Sequence, residues 1–309
     1  MKKPISKPLS NSPSETAPSS HHFKLQPLEL RPGLYVVATP IGNLKDISLR
    51  ALEILASVNL ILCEDTRTSR KLLQHYGLKN RLSAYHEHNA DQVRPKIIEQ
   101  LQQGATIALI SDAGTPLISD PGYKLVEECA ALGLYTTSIP GACAAITALT
   151  LAALPTHQFF FAGFLPPKSS GRKKALEDLK PLQATLLFYE SPHRLVDMLR
   201  DTHQVLGPRR CVVARELTKL HEETIRGTLD EVTTIIAART VLGECVVMIE
   251  GASGQEQAVN TNQLIQQLRD LLNTGHSLKE AVAHVTAATG LPRRTLYQMA
   301  LTLEAKAKK

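Results

Sequence analysis

Two adjacent carboxylates and two arginines follow a short apolar segment of this 309-residue chain. The apolar segment runs from Leu60 to Cys63, and it is followed by Glu64, Asp65, Arg67 and Arg70. A carboxylate can act as a general base, and an arginine can bind phosphate through two hydrogen bonds. The alternative is structural, because acidic residues here also suit the N-terminus of a following helix. Two carboxylates and two arginines exceed what a helix cap requires, so we predict a catalytic role for the former and phosphate contacts for the latter.

Two histidines at alternate positions, His86 and His88, follow a short predicted strand over Ser83 to Tyr85. Alternate residues of a strand face the same side, so the pair invites a metal-binding interpretation. A third ligand is not evident in the sequence, and we therefore expect no metal site. His86 is a candidate base, although a surface imidazole is the commoner use of such a residue.

The stretch that organises the chain is residues 107–122, which reads IALISDAGTPLISDPG. Its first four residues are an unbroken apolar run, typical of a strand buried on both faces of a parallel sheet. The small and stiff residues that follow predict a turn, and a helix should begin near Tyr123. Glycine allows the backbone to approach a ligand closely, and proline fixes the shape of the loop before anything binds.

Apolar runs alternate with helical spacing over the first half of the chain. Predicted strands cover residues 34–38, 60–63, 83–85, 107–110 and 135–139, with helices between them. Such alternation predicts a parallel, doubly wound α/β sheet. Ligands of open α/β sheets lie beyond the carboxyl ends of the strands. Three strand-end turns, TPIGN, SDAGTPL and IPGACA, should therefore lie on one edge of the sheet and form a pocket.

A second α/β region follows a hinge that is rich in Pro and Gly. Strands are predicted over residues 159–161, 185–189, 211–214 and 245–250. Their spacing does not decide between parallel and antiparallel pairing. Glu190 and Glu216 each come just after one of these strands and are further candidates to face the pocket.

We divide the chain into a disordered tail over residues 1–31, α/β domains over 32–157 and 158–252, and a helical module over 260–309. The tail has many Pro and Ser residues and lacks apolar periodicity. A polar linker is expected over 251–260. Apolar residues at helical spacing predict three helices in the module, and GLPRR at 290–294 resembles the turn of a helix-turn-helix. A three-helix packing or dimerisation module is an equally good interpretation.

The composition excludes several classes of protein. No apolar segment is long enough to span a membrane, and no apolar region of a secretory signal follows the basic start. The five cysteines are scattered without CxxC spacing, which indicates reduced thiols in a cytoplasm and not a disulfide framework or a zinc site. The net charge of +6 is concentrated at the two ends, with +3 on residues 1–31 and +4 on residues 260–309. This distribution permits a polyanionic partner, although solvated charged termini explain it equally well.

Eight motifs in order across residues 36–223 resemble one known family. They read VVATPIGNL, CEDTRTSRKLL, AYHEHN, SDAGTPLISDPG, IPGACAAITAL, FAGFLPPK, YESPHRL and ARELTKLHEE. The combination is similar to the ribosomal RNA small-subunit methyltransferase I family of the tetrapyrrole-methylase-like superfamily, the class III S-adenosylmethionine-dependent methyltransferases. A GxGxxG fingerprint is absent, and the first turn reads TPIGN, as in the ribosomal branch of that superfamily.

The resemblance implies two α/β domains with the cofactor cleft between them, plus a small all-α C-terminal module that helps to hold RNA. It implies S-adenosylmethionine as cofactor and transfer of its methyl group to the 2′-hydroxyl of a cytidine in the decoding region of 16S rRNA. It also implies a cytoplasmic homodimer that acts on the small ribosomal subunit.

The same resemblance assigns site residues. The cofactor-binding residues that it implies are Ile41, Asp112, Gly114, Thr115, Pro116, Ile118, Gly141 and Ala142, with Leu187, Tyr189, Ala214 and Cys245 from the second domain. For Ile41, Ile118 and Leu187 the alternative is plain core packing. From their charge, the residues expected to line the RNA path are Arg67, Arg70, Lys168, Arg172, Lys173, His193, Arg194, Arg215, Arg293 and Arg294. For any one of them the alternative is a merely solvated surface residue. In this context Glu64, Asp65 and His86 are the candidate bases for the ribose hydroxyl, which is a poor nucleophile.

Two other functions compete with rRNA methylation. The same scaffold could methylate a tetrapyrrole precursor or another small substrate, and the TPIGN turn and the basic helical module count against this. A non-catalytic RNA-binding protein with a vestigial pocket is the other alternative, and binding of the cofactor would discriminate against it.

Overall fold

The computed structural model describes residues 28–289, 293 and 296–301, with the backbone alone over 254–262. The first domain is built on five parallel strands in the order β3-β2-β4-β1-β5. The strands are β1 (Gly33–Val37), β2 (Leu60–Cys63), β3 (Leu82–Ala84), β4 (Thr106–Ile110) and β5 (Thr136–Ile139). The helices are α1 (Leu49–Ser57), α2 (Thr66–His75), α3 (Ala90–Gln102), α4 (Tyr123–Ala131) and α5 (Ala144–Leu151). The predicted parallel sheet is confirmed.

The central strands of this sheet are buried on both faces, which explains their unbroken apolar sequences. Every residue of β1, β2 and β4 is buried. Tyr35 and Val37 of β1 contribute to one core layer, and Leu34 of the same strand contributes to the other. The sheet therefore presents the carboxyl ends of its strands, and the loops that follow them, at a single edge.

The second domain has a mixed sheet in the order β6-β7-β10-β8-β9. Its strands are β6 (Phe159–Phe164), β7 (Thr185–Glu190), β8 (Arg210–Arg215), β9 (Glu223–Thr228) and β10 (Cys245–Ile249). Only β6 and β7 pair in parallel; the other three pairs are antiparallel. Strand β9 was not predicted from the sequence. It is an edge strand whose residues are mostly half-exposed, so it lacks the apolar run that marks the buried strands.

The two faces of the second sheet are covered by different domains. One face packs against α6 (Ser169–Leu179), α7 (Pro192–Leu206) and α8 (Leu229–Ala237). The other face, which includes Leu187 and Met248, packs against Ala145, Ala148 and Leu149 of α5. The small side chains of α5 allow this close approach. Because α5 belongs to the first domain, the two domains share a core and their relative position is fixed.

The C-terminal part is helical, with α9 (Gly254–Asn273), α10 (Leu278–Thr289) and further helical residues at 293 and 296–301. Leu268, Val282, Val285 and Leu296 form its own small core. The linker expected over 251–260 is wrong in its second half, because α9 begins at Gly254. Most of the expected turn at 290–294, including Arg294, lies outside the described residues.

The end of the expected disordered tail is also ordered. The Leu28 N–H donates to Ser57 Oγ over 2.8 Å, and Leu30 packs on the core of the first domain. The Arg31 guanidinium lies 4.5 Å from the centre of the Tyr135 ring. Residues 1–27 lie outside the described residues, and the domain boundaries stay predictions. Across the described helices, none combines the length and the apolar character that crossing a membrane requires.

Candidate active site

A cavity of about 470 Å³ lies between the two α/β domains. Its volume falls in the range of small-molecule sites. The first domain contributes strand-end loops, and the second contributes the ends of β6 and β7, the loop after β8 and the start of β10. The lining residues are Ile41, Ala113, Gly114, Thr115, Ile118, Ser119, Asp120, Cys143, Ala144, Phe164, Tyr189, Glu190, Ser191, Pro192, Leu217, Gly243, Glu244, Cys245 and Val246.

The three strand-end turns predicted to meet do meet at this edge. Thr39 and Gly114 exchange two backbone hydrogen bonds, of 2.8 and 3.1 Å, which join the first turn to the second. The hydroxyl of Thr39 also donates to the Ser111 carbonyl. Thr115 Oγ1 donates to the Ala142 carbonyl over 3.0 Å, which joins the second turn to the third. The floor of the cavity is therefore rigid before any ligand binds.

The loop after β4 has an unusual backbone. Leu117 and Ser119 have φ values of 72° and 66°, in the left-handed region that side chains avoid, and Gly114 has a φ of 87°. Each such non-glycine residue costs about 1–2 kcal/mol, and the surrounding structure must hold it in place. A Cβ added to Gly114 would lie 3.2 Å from Ile41 Cγ2, inside the cavity wall. Of the five described non-glycine residues with positive φ, two lie in this loop and two, Glu216 and Thr218, lie in the loop between β8 and β9.

The opposite wall includes the loop between β8 and β9. The Asn43 N–H donates to Thr218 Oγ1 over 3.0 Å, which ties this loop to the first domain. Gly42 lies so close that an added Cβ would be 2.6 Å from Lys219 Cγ. The glycine of TPIGN is thus needed for contact between the domains.

The charge of the cavity is negative. Asp120, Glu190 and Glu244 line it, and none of the described lining residues is a lysine, arginine or histidine. Burial raises the pKa of Asp120 to about 6, with further contributions from the negative charges of Glu64 and Asp112, and the Ser111 side chain opposes the shift. Such a site favours a cationic ligand and disfavours a phosphate.

Tyr189 occupies the centre of the second-domain wall. Its hydroxyl accepts a hydrogen bond of 3.2 Å from the Ala145 N–H at the start of α5. Its ring makes edge contacts with Phe161 and Phe164, at centroid distances of 4.9 and 5.7 Å. Burial raises the pKa of Tyr189 to about 12 and that of Cys245 to about 11. Both groups are neutral near pH 7, so they supply shape and a flat apolar surface.

The cavity brings together half of the residues predicted to bind the cofactor, namely Ile41, Gly114, Thr115, Ile118, Tyr189 and Cys245. The other six predicted residues do not line the cavity. Leu187 and Ala214 are fully buried in the shared core, where core packing is their observed role. Asp112 Oδ1 accepts from the Asp65 N–H over 3.1 Å. Pro116, Gly141 and Ala142 lie in the turns that frame the cavity but are not among its lining residues.

The predicted catalytic residues are not among the lining residues of the cavity. Asp65 is the N-cap of α2, and its carboxylate pairs with Arg67 over 2.7 Å. Hydrogen bonds from Arg67 lower the pKa of Asp65 to about 2, so it is a weak base and the capping alternative describes it. Glu64 is exposed, outside the cavity lining but close enough to act on Asp120. His86 follows β3, two strands from β4, and its buried Nδ1 has no hydrogen-bond partner among the described residues.

Several residues expected to contact RNA are engaged in ion pairs instead. The prediction for Arg172 is wrong, because it is only 4% exposed and binds Asp201 through a 2.7 Å ion pair. Lys173 lies 3.4 Å from the same carboxylate. Arg194 lies 3.2 Å from Glu190, and Arg215 lies 2.7 Å from Glu223.

The remaining cations are more accessible. Arg67 pairs with Asp65 but is 87% exposed. Lys168, His193 and Arg293 are exposed. Arg70, also exposed, lines a groove of about 530 Å³ beside α2, with Lys79, Arg81 and no acidic residue among the described lining residues. The groove forms a cationic surface. Of its three cations, only Arg70 was expected from the sequence.

Sequence reasoning missed Asp120, Ser119, Phe164 and Gly243 as lining residues. A signal for Asp120 existed, because SDPG repeats the strand-end pattern of SDAG eight residues earlier. Gly243 carried no such signal, since it lies in a loop that reaches the cavity only through antiparallel pairing of β10. Over the described part of the chain, no three His, Cys, Asp or Glu side chains are grouped as a metal site requires.

Residues 33–233 match the family model for Tetrapyrrole (Corrin/Porphyrin) Methylases, and residues 260–304 match the RsmI C-terminal HTH domain. The chain is 46% identical to ribosomal RNA small subunit methyltransferase I of Pseudomonas aeruginosa, over 88% of this chain and 98% of that protein. It is 46% identical to the protein of that name from Escherichia coli O157:H7, over 87% and 94%.

Solved structures share the fold at low identity. Diphthine synthase matches with a TM-score of 0.55 at 15% identity, over 71% of this chain and 89% of that one. Cobalt precorrin-4 methyltransferase matches with a TM-score of 0.54 at 14% identity, over 70% and 94%. The two-domain α/β fold with an inter-domain cleft is thereby confirmed, and the close relatives identify the branch. The chain belongs to the ribosomal RNA small subunit methyltransferase I family.

Proposed function

We propose that this chain is an S-adenosylmethionine-dependent methyltransferase of small-subunit ribosomal RNA. One observation carries the proposal: loops of both α/β domains enclose a cavity that three carboxylates and no described cation line. The family membership gives this cavity its reaction. When bound, the cofactor supplies an electrophilic methyl group attached to a positively charged sulfur.

The residues present fit this cofactor. The negative charge of Asp120, Glu190 and Glu244 favours its sulfonium and ammonium groups. The glycine at position 114 and the small side chain of Thr115 leave backbone groups accessible to its polar ends. The residues that would hold it are Ile41, Gly114, Thr115, Ile118, Tyr189 and Cys245. A phosphate-bearing dinucleotide would meet like charge in the same place.

We infer that the acceptor is the 2′-hydroxyl of a cytidine in the decoding region of 16S rRNA, as the family resemblance implies. The charge distribution supports an RNA substrate that enters by one sugar. The acidic cavity repels phosphates, while exposed cations lie outside it, at Lys168 and in the groove of Arg70, Lys79 and Arg81. Phosphates of the flanking nucleotides would bind these cations while the target ribose reaches the cavity.

We also propose that the protein is a cytoplasmic homodimer. The support is β6, an edge strand of the second sheet whose Phe159 and Phe160 are each 43% exposed. An exposed aromatic edge strand is a surface that proteins ordinarily cover. Light scattering after size exclusion tests this, with a dimer mass expected for the wild type and a monomer for Phe160→Lys.

The experiment that tests the function uses small subunits from a strain that lacks its own enzyme of this family. They are incubated with the protein and methyl-labelled cofactor, and the rRNA is digested to nucleosides and analysed by mass spectrometry. We expect label in 2′-O-methylcytidine at one position. Label in a methylated base, or none in rRNA, would overturn the proposal. Calorimetry with the cofactor alone distinguishes two reasons for a lack of label. No binding indicates a vestigial pocket, whereas binding without methylation indicates that the substrate is a different one.

A further inference from the structure

Asp120 is the carboxylate whose surroundings set it apart in the cavity. It lies on the strained loop after β4, next to Ser119 with its φ of 66°. The charges acting on it come from Glu64 at the end of β2 and from Asp112 at the start of its own loop, and both are negative. A carboxylate that is partly desolvated and surrounded by like charge binds a proton more readily than an ordinary one.

We propose that Asp120 is the general base that accepts the proton of the attacking hydroxyl. This inference rests on the proposed function, and it names the residue that the sequence motifs did not assign. The hydroxyl oxygen forms a bond to the methyl carbon as its O–H proton passes to an Asp120 carboxylate oxygen. The methyl–sulfur bond breaks with its electron pair left on sulfur, so one positive charge is lost there as one proton is gained by the carboxylate. The neutral Asp120 acid then releases that proton to water.

Each of the other two cavity carboxylates forms an ion pair with a cation. Glu190 is 2% exposed, accepts a 2.8 Å hydrogen bond from the Ser191 N–H and pairs with Arg194. Glu244 is 83% exposed at the rim and pairs with Lys219 over 3.0 Å. Asp120 is the lining carboxylate for which no ion pair is found among the described residues. Asp120 is therefore the best base in the cavity.

Candidates outside the cavity fit less well. The Asp65 carboxylate is committed to Arg67 and to the N-terminus of α2. Glu64 is exposed and does not line the cavity, and its negative charge acts on Asp120. The negative charges of Glu64 and Asp112 thus make Asp120 a stronger base. These two carboxylates support the reaction through Asp120 and do not take part in it directly. Tyr189, from the opposite wall, also feels the charge of Asp120 but stays protonated.

The test measures single-turnover methylation of small subunits at saturating cofactor as a function of pH. For the wild type we expect the rate to fall at low pH, as Asp120 becomes protonated. Asp120→Asn should lower the rate by about 10²–10⁴-fold and remove this acid limb. Asp120→Glu retains a carboxylate and should recover part of the rate together with an acid limb.

Binding measurements exclude a merely electrostatic role. Calorimetry compares S-adenosylmethionine with its uncharged-sulfur product, S-adenosylhomocysteine, on the wild type and Asp120→Asn. We expect the affinity for S-adenosylmethionine to fall by more than that for S-adenosylhomocysteine, because the cavity loses a negative charge. Saturating cofactor in the rate assay removes this loss from the measured rate. Selective loss of S-adenosylmethionine affinity with a normal single-turnover rate would overturn the proposal and assign Asp120 to the sulfonium.

A matched control substitutes an aspartate away from the cavity. Asp178 is exposed on α6, and Asp178→Asn should keep the wild-type rate and pH profile. A rate for Asp120→Asn within about threefold of the wild type would also refute the role. If the wild type itself forms no 2′-O-methylcytidine, the proposed function fails first, so the two failures are distinguishable. Far-UV circular dichroism checks that each variant is folded.

Discussion

Replacing Asp120 by Asn should stabilise the protein at pH 8 more than at pH 5. In the folded state the pKa of Asp120 is raised from 3.8 to about 6, chiefly by burial. A raised pKa means that the folded state binds the proton more tightly than the unfolded chain does. Protonation of Asp120 therefore stabilises the folded state relative to the unfolded chain. Its advantage is complete below pH 3.8 and is lost as the pH rises through about 6.

The magnitude follows from the size of the shift. Ionising Asp120 in the fold costs up to about 3 kcal/mol at pH 8 and about 1.6 kcal/mol at pH 5, at about 1.36 kcal/mol per pKa unit. Solvent screening of a partly exposed group reduces both values, to about half. Asparagine removes the charge and keeps the shape. We therefore expect Asp120→Asn to gain about 0.7–1.4 kcal/mol more at pH 8 than at pH 5.

Urea denaturation of the cofactor-free protein measures this effect. The wild type, Asp120→Asn and the surface control Asp178→Asn are unfolded at pH 5 and at pH 8, with circular dichroism as the signal. The control should show the same small change at both pH values. A gain for Asp120→Asn that is equal at the two pH values, or a loss at pH 8, would contradict the raised pKa and the base assignment that it supports.

Three further predictions concern other parts of the molecule. Asp201→Ala should cost about 3–5 kcal/mol in the free energy of unfolding by urea, because it leaves the buried Arg172 charge uncompensated. Gly114→Val should lower S-adenosylmethionine affinity about tenfold in calorimetry while the fold is kept, because the side chain meets Ile41 at a φ of 87°. The double change Arg70→Ser and Arg81→Ser should weaken RNA binding in filter assays and reduce the slope of log K against log salt by about 0.7–0.9 per lost phosphate contact.

Each of these has a control and a contradicting result. Arg172→Met combined with Asp201→Leu should restore most of the stability, and a mild effect of Asp201→Ala alone would mean that the pair is not buried in solution. Unchanged cofactor affinity in Gly114→Val would remove that loop from the site. Arg50 is exposed on α1, and Arg50→Ser is the matched loss of a cation. An equal loss of RNA affinity there would show a general charge effect.

The first domain could be predicted because its signals are local. Strands such as β4 are continuous apolar runs, and Gly and Pro mark the turns that follow them. Parallel strands separated by helices allow few arrangements, so the common edge of the three turns followed from the pattern alone. The Thr39 to Gly114 bridge gives this prediction its atomic form.

The second domain depended on contacts that no local pattern specifies. Strand β9 is stabilised by pairing with β8, and its residues alternate weakly in polarity. Arg172 was expected to line the RNA path as one of a set of basic residues. Its actual partner, Asp201, is 29 residues away on α7, and only the packing of α6 on α7 brings the charges together.

The site itself was predicted in its backbone and missed in its charge. Glycine and proline mark positions where a chain can approach a ligand, and these residues did identify loops that line the cavity. The pKa of a carboxylate cannot be predicted from residue type alone, because it depends on the neighbours that the fold supplies. Asp65 and Asp120 illustrate the difference: their pKa values are about 2 and about 6 in one protein. The cation beside Asp65 lowers its pKa, and burial, with a smaller contribution from neighbouring anions, raises that of Asp120.

The strained backbone of the loop after β4 has a consequence for these charges. Left-handed residues at 117 and 119 hold Asp120 at the cavity wall, within reach of the charges of Glu64 and Asp112. A relaxed loop would let the carboxylate turn toward water, where its basicity would return to that of an ordinary aspartate. The hydrogen bonds between the three turns and the core that α5 shares with the second sheet oppose this relaxation. These contacts therefore keep Asp120 in surroundings that raise its pKa.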